Sequence, residues 1–289
     1  MPRLTSDEVA RALGLLAGTL AAGYAKERLL PAANASIGAE FTNLHELREG
    51  LSNAESSFRL LIGYYAALRR GGDPEFLSEA FLEAFDRTLE DSEFEDFLDS
   101  GDTEALWLSF CEVCGERQRR VDEAQTRPVL TGLAALAMET FAARGHGNLH
   151  AWIEDTVRAT RQVEPIFEGF KETKTVGPKT ASHILRDAAI VFGFEVSVAP
   201  ADRLYLHPVG VTLRRLALWL LPDSEERKLP DWVLAGKFSK VCRLHRVSGV
   251  HANAGATYFG FRIAPLYPNF EEAVREVLLR DSQPVRGNH

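Results

Sequence analysis

Apolar residues recur along this chain at helical intervals almost everywhere, and runs that alternate as a half-buried strand does are scarce. Leu77, Phe81, Ala84, Phe85 and Leu89 stand at i, i+4, i+7, i+8 and i+12, which lays one apolar stripe along an otherwise acidic helix. Similar stripes run through 58–68, 105–114 and 130–141. The stretch 194–198 could extend, but it is too brief to carry a sheet. The pattern predicts an all-α fold. Pro128 is placed to open a helix and Gly145 to close one. Asn269, followed by Glu271 and Glu272, starts a last helix that ends near Arg280, with a frayed tail from Ser282 onward.

At 289 residues the chain makes one large domain or two modest ones. No apolar run reaches the roughly 18 residues of a membrane span. The early apolar segment 13–22 is broken by glycines and preceded by Asp7, Glu8 and Arg11, so it reads as an amphipathic helix rather than a signal peptide. Three cysteines, Cys111, Cys114 and Cys242, give an odd count without a disulfide framework, and the default is the reducing cytoplasm. Cys111 and Cys114 have the spacing of half a metal site, but no second pair completes it. They are expected to be small core residues, and no metal is expected.

Charge divides the chain. The net charge is −8, yet residues 1–150 hold 25 acidic and 14 basic side chains, and residues 151–289 hold 16 acidic and 19 basic. Between Asp73 and Glu104 there are 13 acids and one base, Arg87, the mark of a solvated helix face. The expectation is an acidic N-terminal lobe, 1–150, and a C-terminal lobe, 151–289, that share one core. The basic side of the second lobe would face nucleic acid.

The chemistry concentrates in 176–187, VGPKTASHILRD, and in Asp202 of VAPADR. A helix over 164–172, a glycine turn and a second helix over 178–192 would present backbone N–H groups to a phosphate. Pro178 suits the first helical turn, and Gly177 the turn conformation. Lys174, Thr175, Val176, Gly177 and Thr180 are the candidate phosphate contacts, with Lys171 flanking. Alone, Lys179 would be a solvent-facing lysine; ahead of a carboxylate it reads as an amine nucleophile. Asp202 reads as a helix N-cap as well. His183 either lines a cleft or satisfies a polar group in the core. Arg186 and Asp187 are expected to pair on the exposed side of their helix.

These residues resemble the helix-hairpin-helix DNA glycosylases with a Gly/Pro loop and a following aspartate. The resemblance covers about 40 positions to Asp202, with faint support to Phe261 through NAGATYFGF. It implies a two-lobed helical fold with the active site in a cleft between the lobes. It places the lysine nucleophile of the bifunctional glycosylase/lyases on Lys179 and the catalytic aspartate on Asp202, with Gly193 and Pro200 in the loop. Thr175 stands where the family's turn has a glycine, and the Lys179–Asp202 spacing is a few residues longer than is common. Pro208 and Gly210 follow Asp202 closely, so a helix opening there is kinked, or a short turn precedes a helix near Val211. These departures bring the chain closer to the divergent archaeal 8-oxoguanine glycosylases.

The resemblance implies excision of an oxidised purine, 8-oxoguanine, from double-stranded DNA through a lysine Schiff base, followed by β-elimination. No cofactor is needed, and a monomer is expected. The damaged base would be flipped into a pocket for which His183, Trp232, Tyr258 and Phe259 are the candidates. One rival keeps the N-glycosidic chemistry on another modified base or a free nucleotide. Another is a non-catalytic helix-hairpin-helix module that only docks on DNA.

Overall fold

Short polar side chains start most of the helices and glycines stop several of them. The computed structural model describes residues 4–67, 73–90, 92–173, 176–221 and 229–280. In chain order the helices begin with α1 (Ser6–Leu15), α2 (Ala21–Tyr24), α3 (Leu30–Ile37), α4 (Leu44–Gly50), α5 (Ala54–Leu60) and α6 (Pro74–Thr88). They continue with α7 (Phe94–Ser100), α8 (Thr103–Glu116), α9 (Glu123–Arg144), α10 (Leu149–Thr160), α11 (Glu164–Glu172) and α12 (Pro178–Phe192). The last are α13 (Val211–Leu220), α14 (Asp231–Leu244), α15 (Gly249–Tyr258) and α16 (Phe270–Ala273). No strand occurs among the described residues, and no helix there is long and apolar enough to cross a membrane.

The caps follow the sequence. Thr5 and Glu8 exchange bonds in a capping box at α1. Asn53, Asp73, Asp122, Asn148 and Asn269 each accept an N–H of the first turn that follows. Gly145 ends α9 as expected, at φ 73°. Pro128 does not start that helix. Asp122 caps it six residues earlier and Pro128 lies inside; so close to the N-terminus its missing N–H removes little of the ladder. The stretch 194–198 is not extended but holds a 3₁₀ turn, Glu195–Ser197. The last helix starts at Asn269 and runs on through a π-helical turn, Val274–Leu278; the tail from Ser282 lies outside the described residues.

Two compact units emerge: Met1–Tyr24 with Val209–His289, and Ala25–Pro208. They do not coincide with the expected division at residue 150. The first helical segment packs with α15, far along the chain, and hydrophobic spacing carries no information about such pairing. The central unit, Ala25–Pro208, contains 31 acidic and 19 basic side chains, a balance of −12. The other unit holds 10 acidic and 14 basic, a balance of +4. The hairpin therefore belongs to the acidic unit.

In the central unit the stripe of α6 is buried from Leu77 to Phe85. Phe58 and Phe85 stand 5.1 Å apart between ring centroids, with Phe94 and Phe97 around them, and such contacts add to area burial. The acidic face of α6 is tied down rather than simply solvated. Arg87 bridges Glu83 and Glu116, and Arg117 reaches Glu79 and Glu83. His150 is buried, shares a 2.8 Å hydrogen bond with Ser57 Oγ, and is lowered by burial to a pKa of about 4. Cys114 is buried, with its thiol raised to about 11 by burial, whereas Cys111 is exposed and not the core residue expected.

The other unit is built around α15. Its NAGA run is buried, and a Cβ on Gly255 would overlap the Leu16 carbonyl, so glycine permits the close helix approach.

Candidate functional site at the helical hairpin

The helices α11 and α12 have the boundaries that the proline and glycine punctuation predicts. Ile166, Phe167 and Phe170 form the buried face of α11, with Phe170 5.8 Å from the Trp152 ring. Val176 closes the turn by donating its N–H to the Thr173 carbonyl at 3.0 Å, and its side chain is buried. Lys174 and Thr175, expected to touch phosphate, lie outside the described residues.

Gly177 sits at φ −73°. That conformation is open to any residue, so the turn itself does not require glycine, contrary to expectation. What distinguishes the position is space: a Cβ there would meet no atom within 4 Å. Among the described residues no side chain caps α12. With Pro178 in the first turn, the N–H groups of Lys179 and Thr180 are among the donors an α-helix leaves unpaired. Lys179 is exposed and makes no hydrogen bond or ion pair among the described residues.

His183 lies one turn beyond Lys179 on the same face. Burial, and then the positive charges of Arg186, Lys179 and Arg28, hold its pKa well below the ordinary imidazole value. Its neutral form is favoured. Arg186 and Asp187 do pair, through Nη2 and Oδ1 at 2.8 Å, but at 0% and 1% side-chain exposure. The pair was expected at the surface; instead it lies in the core, where Tyr65 donates to Asp187 Oδ2 at 3.0 Å. The Tyr64 ring is 4.7 Å from Tyr65, and its hydroxyl accepts from Arg28 Nε at 3.2 Å. Arg28, Tyr64 and Tyr65 thus join the surroundings of α12. Sequence reading missed them because nothing in their local spacing points to a helix more than 100 residues away.

Asp202 is a helix cap, as expected, but the helix that it caps is α11. Its Oδ2 accepts from the backbone N–H groups of Val163, at 2.8 Å, and Glu164, at 3.2 Å, and so caps α11. It opens a 3₁₀ turn, Asp202–Leu206, ahead of α13, the second of the two arrangements that Pro208 and Gly210 allow. Tyr205 in that turn donates to Glu164 Oε1 at 2.6 Å and is pushed up to about 12 by burial and that bond. Helix α11 has nine residues, about 13 Å end to end at 1.5 Å per residue. Asp202 stands at its start and Lys179 beyond its far end, and no bond joins them. The two residues therefore occupy opposite ends of the hairpin.

Three aromatic candidates for a base pocket lie in the other unit. Phe259 is fully buried against Phe270, and Tyr258 is 8% exposed; both are core side chains. Trp232 is 66% exposed at the start of α14. Among the described residues no group of three potential metal ligands forms. Comparison with protein-family models, with curated proteins and with solved structures finds no match.

Proposed function

We propose that this chain is a lysine-dependent DNA N-glycosylase with β-elimination activity, and that Lys179 is its nucleophile. The observation that carries the reading is the N-terminus of α12: an exposed lysine without a carboxylate partner among the described residues, beside helix N–H groups and an imidazole whose neutral form is favoured. A lysine at the positive end of a helix dipole is locally unfavourable, so its place there suits a role toward a ligand better than one in the fold.

In the proposed reaction the neutral Lys179 amine attacks C1′ of the deoxyribose. The C1′–N bond to the damaged base breaks, and the base leaves with its electron pair and takes up a proton. Loss of the amine proton and opening of the sugar give a C1′ iminium. Removal of a C2′ proton then expels the 3′-phosphate, and water returns the amine. His183, one turn along α12 and favoured in its neutral form, would accept a hydrogen bond from the amine. Asp202, engaged by two N–H groups, supports the reaction by positioning α11 rather than by touching the sugar. An oxidised purine, 8-oxoguanine, is the proposed base.

The charge of the central unit favours a second reading in one respect. A balance of −12 over the unit that carries Lys179 disfavours a polyanion and suits a free modified nucleotide. Chromatographic assay of base release separates the two. DNA repair chemistry predicts 8-oxoguanine released from a duplex and none from the nucleotide, lost in Lys179→Ala. Release from the nucleotide alone would move the assignment to the second reading.

A further inference from the structure

The cations of the chain are used in two ways. Arg59, Arg87, Arg117 and Arg127 of the central unit each bind two carboxylates. In the other unit, Lys240, Arg243 and Arg246, on α14 and the turn that follows, are all exposed and have no carboxylate partner among the described residues. The one acid of α14, Asp231, is bound by Arg214. The buried side of this helix carries Leu234, Ala235, Phe238 and Cys242, and Lys240 and Arg243 are exposed away from it.

Arg246 ends the helix. It adopts φ 58°, the left-handed conformation common just past a helix C-terminus, and Val247 donates its N–H to the Cys242 carbonyl at 2.9 Å. Gln118 and Arg161 have positive φ in the same way after α8 and α10. The guanidinium of Arg161 is engaged with the Ser197 carbonyl at 3.2 Å, whereas the exposed side chain of Arg246 has no such bond among the described residues.

We infer that the exposed face of α14, with Arg246 in its turn, binds the phosphate backbone of a nucleic acid. Charge complementarity selects a polyanion, since three cations face solvent within about 9 Å of helix axis. The exposed apolar residues of α14, Trp232 and Leu244, stand at opposite ends of the helix, with Lys240 and Arg243 between them and Arg246 beyond Leu244. They do not form the contiguous apolar patch that a lipid surface needs. The inference shares its nucleic-acid partner with the proposed reaction and to that extent rests on it, but assigns no chemistry to α14.

The test measures binding of an unmodified DNA duplex over a range of salt, for the full chain and for Lys240→Gln/Arg243→Gln/Arg246→Gln, with urea midpoints as the control for folding. The expected result is weaker binding by the variant to every sequence and a salt slope reduced by about one per lost contact, at an unchanged midpoint. Unchanged binding and slope in the variant, with the wild type still bound, would overturn the α14 surface and leave the glycosylase reading standing. A variant with a lower midpoint and unchanged binding would show that the cations serve only the negative end of the helix dipole. Absence of duplex binding by the wild type, or binding to anionic phospholipid vesicles in its place, would also overturn the inference. Base release from a free nucleotide would then show whether the chemistry survives without DNA.

Discussion

The two ends of the α11–α12 hairpin are each marked by a charged residue at a helix N-terminus, and they are built in opposite ways. At one end a carboxylate meets the N-terminus of α11: Asp202 accepts two N–H groups, with the Tyr205–Glu164 bond beside it. At the other, an ammonium meets the N-terminus of α12, which has, among the described residues, no side-chain cap and no atom within 4 Å of a Cβ on Gly177. The first arrangement satisfies the backbone and agrees with the helix dipole; the second does neither. One end is therefore structural and complete. The other leaves the first N–H groups of α12 open, which is what the proposed reading uses.

The largest effect is expected between the two ends, where the middle of α12 is anchored. Asp187→Ala leaves the buried Arg186 without its carboxylate and is predicted to cost about 3–5 kcal/mol of stability, read by urea unfolding. A loss below about 1 kcal/mol would show that α12 is not held at this pair.

Acid should weaken the same framework. His150 has a folded-state pKa of about 4 against an ordinary value near 6.5. The unfolded state takes the proton first, so stability is fully present above pH 6.5 and is lost as pH falls towards 4. The contribution is on the order of 3 kcal/mol, and His150→Gln should flatten that part of the pH profile. A variant with the same profile as the wild type would remove His150 from this account.

The comparison is sharpest in the paired variants of its own charged residues. Asp202→Ala should lower stability by roughly 1 kcal/mol, the worth of a cap, while base release persists. Lys179→Ala should leave stability within about 0.5 kcal/mol and abolish release. The reverse pattern, with Asp202 essential to chemistry and neutral to folding, would break the contrast. The smallest effect is expected at Gly177, whose ordinary φ accepts alanine. Gly177→Ala should leave the urea midpoint nearly unchanged and still weaken duplex binding, because the added methyl occupies the approach to the α12 N–H groups.

What was legible in the sequence follows from what is local. The ends of α11 and α12 were readable because Pro178, Gly177 and Gly193 act within a turn of themselves. The burial of Arg186 and Asp187 was not, since charged residues are ordinarily exposed and the partner that makes burial tolerable, Tyr65, is 122 residues from Asp187. Tyr258 and Phe259 read as pocket aromatics because an aromatic ring can stack on a base, and their type does not reveal burial. Both lie in the core, where Gly255 lets α15 approach Leu16 closely. Asp202 was correctly read as a cap, but which helix it caps depends on tertiary placement that spacing does not encode.

Reduction with borohydride traps a lysine Schiff base as a covalent adduct and tests the central claim most directly. With duplex DNA carrying 8-oxoguanine opposite cytosine, and with a duplex carrying a plain abasic site, the account predicts an adduct that Lys179→Ala abolishes and Asp202→Ala retains. An adduct that survives Lys179→Ala, or none on either duplex, would contradict it.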